Sequence, residues 1–242
     1  MSRSVSCPDD LITRIKAVLA QREVKRLPAS SHLTRASVLI PLFCKDGSYY
    51  CLFTKRSDKV KYHKGEISFP GGNNDPVDQD LLATALREAH EEIGVKPEDV
   101  EFVGALDEIM TMSDFIITPF VGFIPYPYPF VPSPEEIEEI LILPLAGFLE
   151  AGVLSEDYFT YNERTEKVPI YQAGGHVIWG ATAKILRQLL MLRPRSSIRT
   201  TIRMYSIPSR WPTVPSKSFF SIGGRAFLPA SKTSHPGIQS YP

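Results

Sequence analysis

Residues 69–95 read FPGGNNDPVDQDLLATALREAHEEIGV, and this stretch decides the fold. Gly71 and Gly72 stand in a loop, the aspartates Asp75, Asp78 and Asp80 follow, and a helical pattern closes on Arg87-Glu88-Ala89-His90-Glu91-Glu92-Ile93-Gly94. Leu82, Ala85, Leu86, Ala89 and Ile93 recur at helical spacing, so a helix is expected from Asp78 as its cap to Gly94 as its stop, with that stripe facing a core. Glu88, Glu91 and Glu92 then stand at i, i+3 and i+4, on one side of the helix and beside the buried stripe. No lysine or arginine lies four residues from Glu88 to relieve their repulsion. A divalent cation would relieve it, and hard oxygen donors suit Mg²⁺ or Mn²⁺. Three glutamates alone read better as a solvated acidic face. Their company changes the balance, because glycines immediately upstream allow a ligand to approach and leave backbone amides for phosphate oxygens.

Working outward, Arg35 to Phe43 and Tyr49 to Thr54 are rich in β-branched and aromatic residues around the turn signal Lys45-Asp46-Gly47, and predict a hairpin. Val100 to Met110 and Phe115 to Phe123 read as strands, the second demoted in part to an edge or bend by Pro119. Four prolines in residues 126–134 predict an extended loop, and Glu135 to Leu143 an acidic turn leading into a strand. Leu145 to Leu149 suggests a short helix, Tyr158 to Tyr161 with Val168 to Tyr171 a second hairpin, and Ile178 to Leu192 an apolar helix with Trp179 in the core. Residues 9–25 have the spacing of an amphipathic helix. Together these elements indicate a mixed α/β or α+β sandwich.

The chain has 242 residues, 27 basic and 27 acidic, and all the acidic ones precede residue 193. Residues 193–242 carry eight of the basic residues, seven prolines and ten serines without sustained periodicity, which predicts a disordered or loosely attached tail. The remaining body is acidic, which argues against a nucleic-acid-binding surface. No apolar run reaches the ~18 residues a spanning helix needs, so no membrane insertion is expected. The N-terminus lacks the apolar run of a secretory signal. A soluble intracellular protein is the default, cytoplasmic with an organelle left open. Cys7, Cys44 and Cys51 are odd in number without metal-ligand spacing, and read as reduced thiols.

The stretch 69–95 resembles the Nudix hydrolase signature, G-x5-E-x7-R-E-U-x-E-E-x-G-U with U aliphatic: Arg87, Glu88, Glu91, Glu92, Gly94 and Val95 fall on their positions. Gln79 and Asn73 fall where that pattern has glutamate and glycine. The loop is thus one residue longer, with Gly72 in the glycine role and either Asp78 or Asp80 supplying the acid that supports Arg87. Upstream, Leu52-Phe53-Thr54-Lys55-Arg56-Ser57, Lys61, Gly65 and Phe69-Pro70-Gly71-Gly72 resemble the second signature of the coenzyme A diphosphatase branch, L-L-T-x-R-S-x3-R-x3-G-x3-F-P-G-G. The resemblance covers residues 35–192. It implies an α/β/α sandwich around a mixed sheet, as a hydrolase domain over residues 31–192 between a helical extension (1–30) and the tail (193–242).

The resemblance further implies Mg²⁺- or Mn²⁺-dependent hydrolysis of coenzyme A or acyl-coenzyme A by water. Glu88 and Glu92 would be the main metal ligands, Glu91 a further ligand or water-holder, and Arg87 the residue that orients the glutamates. Arg56, Lys64, Gly71 and Gly72 are candidate substrate contacts, and Lys61 and, more weakly, His63 join Arg56 and Lys64 as basic residues to meet the substrate's anionic groups, the ribose 3′-phosphate included. Glu136 and Glu139 are candidates for a general base taken from a loop, against the ordinary reading of a solvated turn. The partner implied is a small-molecule substrate, and a homodimer is an open alternative. A diphosphatase for ADP-ribose or NADH is the nearest competing activity. A non-catalytic nucleotide-binding module is the competing class, and Glu88, Glu91 and Glu92 all being present argues against it.

Overall fold

The computed structural model describes Cys7 and residues 10–192, 221–222 and 225–226. The chain divides into two units, Met1–Trp211 and Pro212–Pro242. In the second, Ser221–Ile222 pairs antiparallel with Arg225–Ala226. The rest of the expected irregular tail lies outside the described residues.

The first unit begins with helix α1, Asp10–Ala20, shorter than the spacing over 9–25 suggested. Strands β1, Thr34–Lys45, and β2, Ser48–Arg56, form the expected hairpin. Asp46 and Gly47 both take positive φ between Lys45 and Ser48, the two-residue turn whose twist matches paired strands. Away from the turn the two strands part, and the chain fills the gap. β3, Ile67–Ser68, pairs with β2, while β4, Gly71–Asn73, pairs with β1. Pro70 O accepts from Leu39 N across the same seam. The glycine loop is thereby fixed inside the sheet rather than at its surface.

Helix α2 spans Leu81–Ile93. Asp80 caps it, its Oδ1 accepting from Ala83 N, and Gly94 ends it in the left-handed conformation at φ 72°. The expected cap, Asp78, is two residues too early, and its carboxylate is used elsewhere. Strands β5, Glu101–Ala105, and β6, Ile109–Met110, replace the single strand expected over 100–110, and both pair with β7, Phe115–Phe123. β7 runs parallel to β1 along its whole length, so Pro119 lies in a central strand, contrary to the edge or bend expected of it. The proline is tolerated because its backbone polar groups face the break between β5 and β6, where Pro119 O accepts from Leu106 N.

β8, Ile137–Pro144, adds to the far side of β2 and continues into a short 3-10 helix, Leu145–Leu149. β9, Leu154–Tyr161, β10, Arg164–Ala173, and β11, His176–Ile178, form a separate three-stranded sheet before helix α3, Gly180–Leu190. Trp179 is half-buried rather than in the core, stacked on Phe159 with ring centroids 5.2 Å apart.

Alternation along the central strands sorts side chains into two apolar layers. Leu39 and Phe120 pack on one face against Ala85 and Ala89 of α2. Ile40, Leu42 and Val121 pack on the other with Ile15 and Leu19 of α1 and Ile185, Leu186 and Leu189 of α3. The result is an α+β sandwich around a mixed sheet. Among the described residues no helix is long and apolar enough to cross a membrane.

Two of the three cysteines depart from expectation. Cys7 and Cys44 form a disulfide with Cα atoms 5.6 Å apart, and only Cys51, fully buried in β2, is free. Spacing could not reveal the bond, because its partners are 37 residues apart and meet only once β1 has formed. Closing a loop of that length restricts the unfolded chain by about 4 kcal/mol. Cys44→Ser, or reduction, should lower the unfolding free energy by that order in denaturant titrations with unchanged native circular dichroism.

Candidate active site

The polar face of α2 meets the glycine loop at the parting of β1 and β2. Glu92 is buried, with 3% of its side chain exposed, and its Oε2 accepts from Gly71 N at 3.3 Å. Arg56, at the end of β2, places Nη1 3.8 Å from Glu92 Oε1. Its Nε is buried without a partner. Gly72 faces Glu88 so closely that a Cβ there would lie 2.5 Å from the carboxyl carbon. Gly71 approaches β1 as tightly: a Cβ would lie 2.3 Å from Ser37 O. Gly72 therefore makes room for the Glu88 carboxylate, and Gly71 for the backbone of β1. The Gly71 amide, expected to stand free for phosphate, is engaged by Glu92.

Arg87 organises the other end of the cluster. Its Nε and Nη2 make a two-pronged contact with Asp78 at 3.0 and 3.1 Å, and its Nη1 reaches Glu91 Oε2 at 3.0 Å and Glu88 Oε1 at 2.9 Å. Nη2 also donates to Asn73 O at 3.2 Å. The acid that supports Arg87 is therefore Asp78, freed for the purpose because Asp80 takes the cap. Thr84 Oγ1 donates to Asp78 Oδ2 at 2.8 Å and Asn74 Nδ2 to Thr84 Oγ1 at 3.0 Å. Glu88 does have a counter-charge, from its neighbour Arg87 rather than from a residue one turn away.

The buried side of α2 differs accordingly from the apolar stripe expected: it comprises Thr84, Ala85, Ala89, Glu92 and Ile93, while Leu82 and Leu86 are half-buried. Thr84 and Glu92 could be read as polar surface in the sequence, since nothing there shows that β4 would lie over them.

Burial sets the electrostatics. The Asp78 carboxyl is held well below the usual range, first by its hydrogen bonds from Arg87. Desolvation raises Glu88 and pushes Glu92 up to about 8, with Arg56 and the Gly71 amide only partly offsetting this. The charge of Glu136 adds to the rise at both carboxyls. Glu136 sits at the turn before β8, where its carbonyl accepts from Ser57 N, and so belongs to this cluster although its side chain is exposed. Glu139 does not; it stands opposite Lys55 on β8. Lys64 and His63 lie exposed on the loop after Ser57, His63 paired with Glu66 at 3.0 Å, and neither contacts the glutamates. Glu91 is more than half exposed and turned toward Arg87. His90 is exposed, as expected.

Glu108 is a buried acid that the sequence does not mark out. Its buried carboxylate accepts from Arg26, Arg35, Leu27 N and Thr118, pinning residues 26–27 to β1 and β7. Arg35 in one apolar run and the pair Asp107-Glu108 in another were the available signal.

The NUDIX domain family matches residues 33–159, and the chain belongs to that family. The peroxisomal coenzyme A diphosphatase NUDT7 of Mus musculus is 34% identical over 222 residues, covering 86% of this chain and 94% of that protein. An uncharacterized Nudix hydrolase, NudL, of Photorhabdus laumondii is 36% identical over 167 residues, covering 68% of this chain and 87% of that protein. A solved MutT/nudix family protein from Enterococcus faecalis is similar at 14% identity with a TM-score of 0.45, covering 70% of this chain and 64% of that chain.

Nudix hydrolases typically use divalent metals. Among the described residues no three acidic or imidazole side chains already converge on one point to hold an ion. The donor chemistry nevertheless fits a hard cation. Glu88 and Glu92 supply carboxylate oxygens whose ionisation burial opposes, and a divalent charge would favour that ionisation.

A pH dependence follows. Because the folded-state pKa of Glu92 lies above its unfolded value, its contribution to stability is fully present below about 4.5 and is lost as pH rises through about 8. In chelator the melting temperature should fall by several degrees between pH 5.5 and 8.5. Glu92→Gln should flatten that decline, and millimolar Mn²⁺ should reverse it in the wild type alone. A decline of the same size in the variant would assign the dependence to other groups.

Proposed function

We propose that this chain hydrolyses the diphosphate bond of coenzyme A or an acyl-coenzyme A, giving adenosine 3′,5′-bisphosphate and the corresponding 4′-phosphopantetheine. The observation that carries the reading is Arg56. The residue belongs to the upstream motif, yet its guanidinium lies against Glu92 with a buried Nε that lacks a partner. A cation so placed suits an anionic oxygen arriving beside the carboxylates, and the guanidinium fork suits phosphate. The reading is further supported by the similarity to a coenzyme A diphosphatase across 86% of the chain.

In this reading Glu88 and Glu92 would hold Mg²⁺ or Mn²⁺, with Glu91 as a further ligand or water-holder. The ion, when bound, supplies Lewis-acid stabilisation of the diphosphate charge. Arg87, anchored on Asp78, fixes the Glu88 carboxylate over Gly72. Arg56 binds a phosphate oxygen and keeps the diphosphate in register with the carboxylates. Glu136 takes a proton from the attacking water, since it lies within electrostatic reach of Glu88 and Glu92 and its side chain is open to solvent. Burial of Glu92 keeps bulk water from competing for its oxygens.

Incubation with coenzyme A, ADP-ribose and NADH, with products weighed by mass spectrometry, should show metal-dependent turnover fastest for coenzyme A. Faster turnover of either competitor would overturn the substrate assignment. Glu88→Gln and Glu92→Gln should each lower kcat by at least about a hundredfold, beyond the usual cost of disturbing an outer-shell partner. Gly72→Ala should do so as well, by driving the Glu88 carboxylate off its position. Near-normal rates in all three would place the metal elsewhere.

A further inference from the structure

The loop from Ser57 to Gly65 presents an aromatic side chain that the site described so far does not use. Its two ends are pinned together: Gly65 N donates to Arg56 O at 3.0 Å and Arg56 N to Glu66 O at 2.9 Å. Ser57 Oγ accepts from Lys59 N at 3.1 Å, and Glu66 N donates to His63 O at 3.2 Å. On one flank Lys59 Nζ holds Pro134 O and Glu135 at 3.2 and 3.1 Å, which fastens the loop to the turn that carries Glu136. At the tip, His63 takes a left-handed backbone at φ 58°, and its ring is fixed to Glu66. The excursion is therefore tied at its base, flank and tip, while Tyr62 remains 64% exposed. A tyrosine lends itself to apolar burial, and one held out in solvent on a braced loop is available for stacking.

The surroundings specify what would stack. Lys61 Nζ lies 5.0 Å from the centre of the Tyr62 ring. Lys64 pairs with no carboxylate among the described residues. One cation therefore lies over an exposed ring and a second, Lys64, is exposed two residues on, in a loop that springs from Arg56, itself against Glu92. Tyr62 is three residues from Gly65, so it lies within ~11 Å of the loop base by chain reach alone. An aromatic platform with one cation on its face and another in the same loop, at that remove from a diphosphate site, matches a purine base with a phosphorylated ribose. Any base has a face to offer, so stacking selects for the presence of a base and the lysines for the additional phosphate.

We propose that Tyr62 is the platform on whose open face the adenine ring of the substrate stacks, with Lys61 and Lys64 of the same loop meeting the ribose phosphate. The proposal rests on the reading above in taking an adenine-bearing diphosphate as substrate. It goes beyond that reading in assigning a specificity-determining role to a residue at an unspecified position of the upstream motif.

The test uses the full chain with Tyr62→Ala and Tyr62→Phe. Alanine should raise KM for coenzyme A about tenfold or more, in the range of losing one stacked base, and leave kcat within about twofold. Phenylalanine should restore KM. Inhibition by adenosine 3′,5′-bisphosphate should weaken in parallel in the alanine variant, whereas inhibition by 4′-phosphopantetheine should not change. An unchanged KM and bisphosphate inhibition in Tyr62→Ala would overturn the proposal, as would equal weakening of both inhibitors or failure of phenylalanine to restore. A wild type inert to coenzyme A that still binds the bisphosphate through Tyr62 would overturn the substrate reading and leave the platform standing.

Discussion

The burial of the Glu92 carboxyl between the Gly71 amide and Arg56 is the constraint on which the rest of the site depends. A carboxyl cannot be withdrawn from water cheaply unless it is neutral, hydrogen-bonded or paired with charge. Here the one amide and the somewhat distant guanidinium only partly offset the cost, which is why its pKa rises to about 8. The fold accepts this because β1 and β2 part and admit the 67–73 segment, which brings the glycine backbone over α2. A bound cation would turn that unfavourable arrangement into a favourable one.

Arg87 serves the opposite purpose. Where Glu92 is left short of partners, Asp78 has an excess: two prongs from Arg87, the Thr84 hydroxyl and the Asp75 amide. This network makes the longer loop rigid and sets the direction of Glu88. The two carboxyls thus differ in function because their environments push them in opposite directions, one toward permanent charge and one toward the proton.

Much of this was legible in the sequence. Period and turn chemistry located the β1–β2 hairpin, α2 and its Gly94 stop, and α3, because each rests on local backbone rules. Motif spacing picked out Arg87, Glu88 and Glu92, and Arg56 upstream. What failed was whatever depended on distant partners. Asp78 and Asp80 are equally good caps in isolation, and only the position of Arg87 separates them. Pro119 reads as an edge residue until the break between β5 and β6 is seen beside it. The Cys7–Cys44 bond, the burial of Thr84 and the approach of Glu136 to the glutamates are likewise tertiary facts.

Burial that pushes Glu92 up to about 8 should leave it protonated at neutral pH in the metal-free protein, and a bound cation should ionise it. Carbon-13 NMR of glutamate-labelled protein, with the Glu92 side-chain carboxyl assigned through Glu92→Gln, measures this directly. The account predicts a midpoint near 8 without metal, and an ionised carboxylate at pH 7 once Mg²⁺ is added. A midpoint near the ordinary glutamate value, unmoved by Mg²⁺, would contradict it.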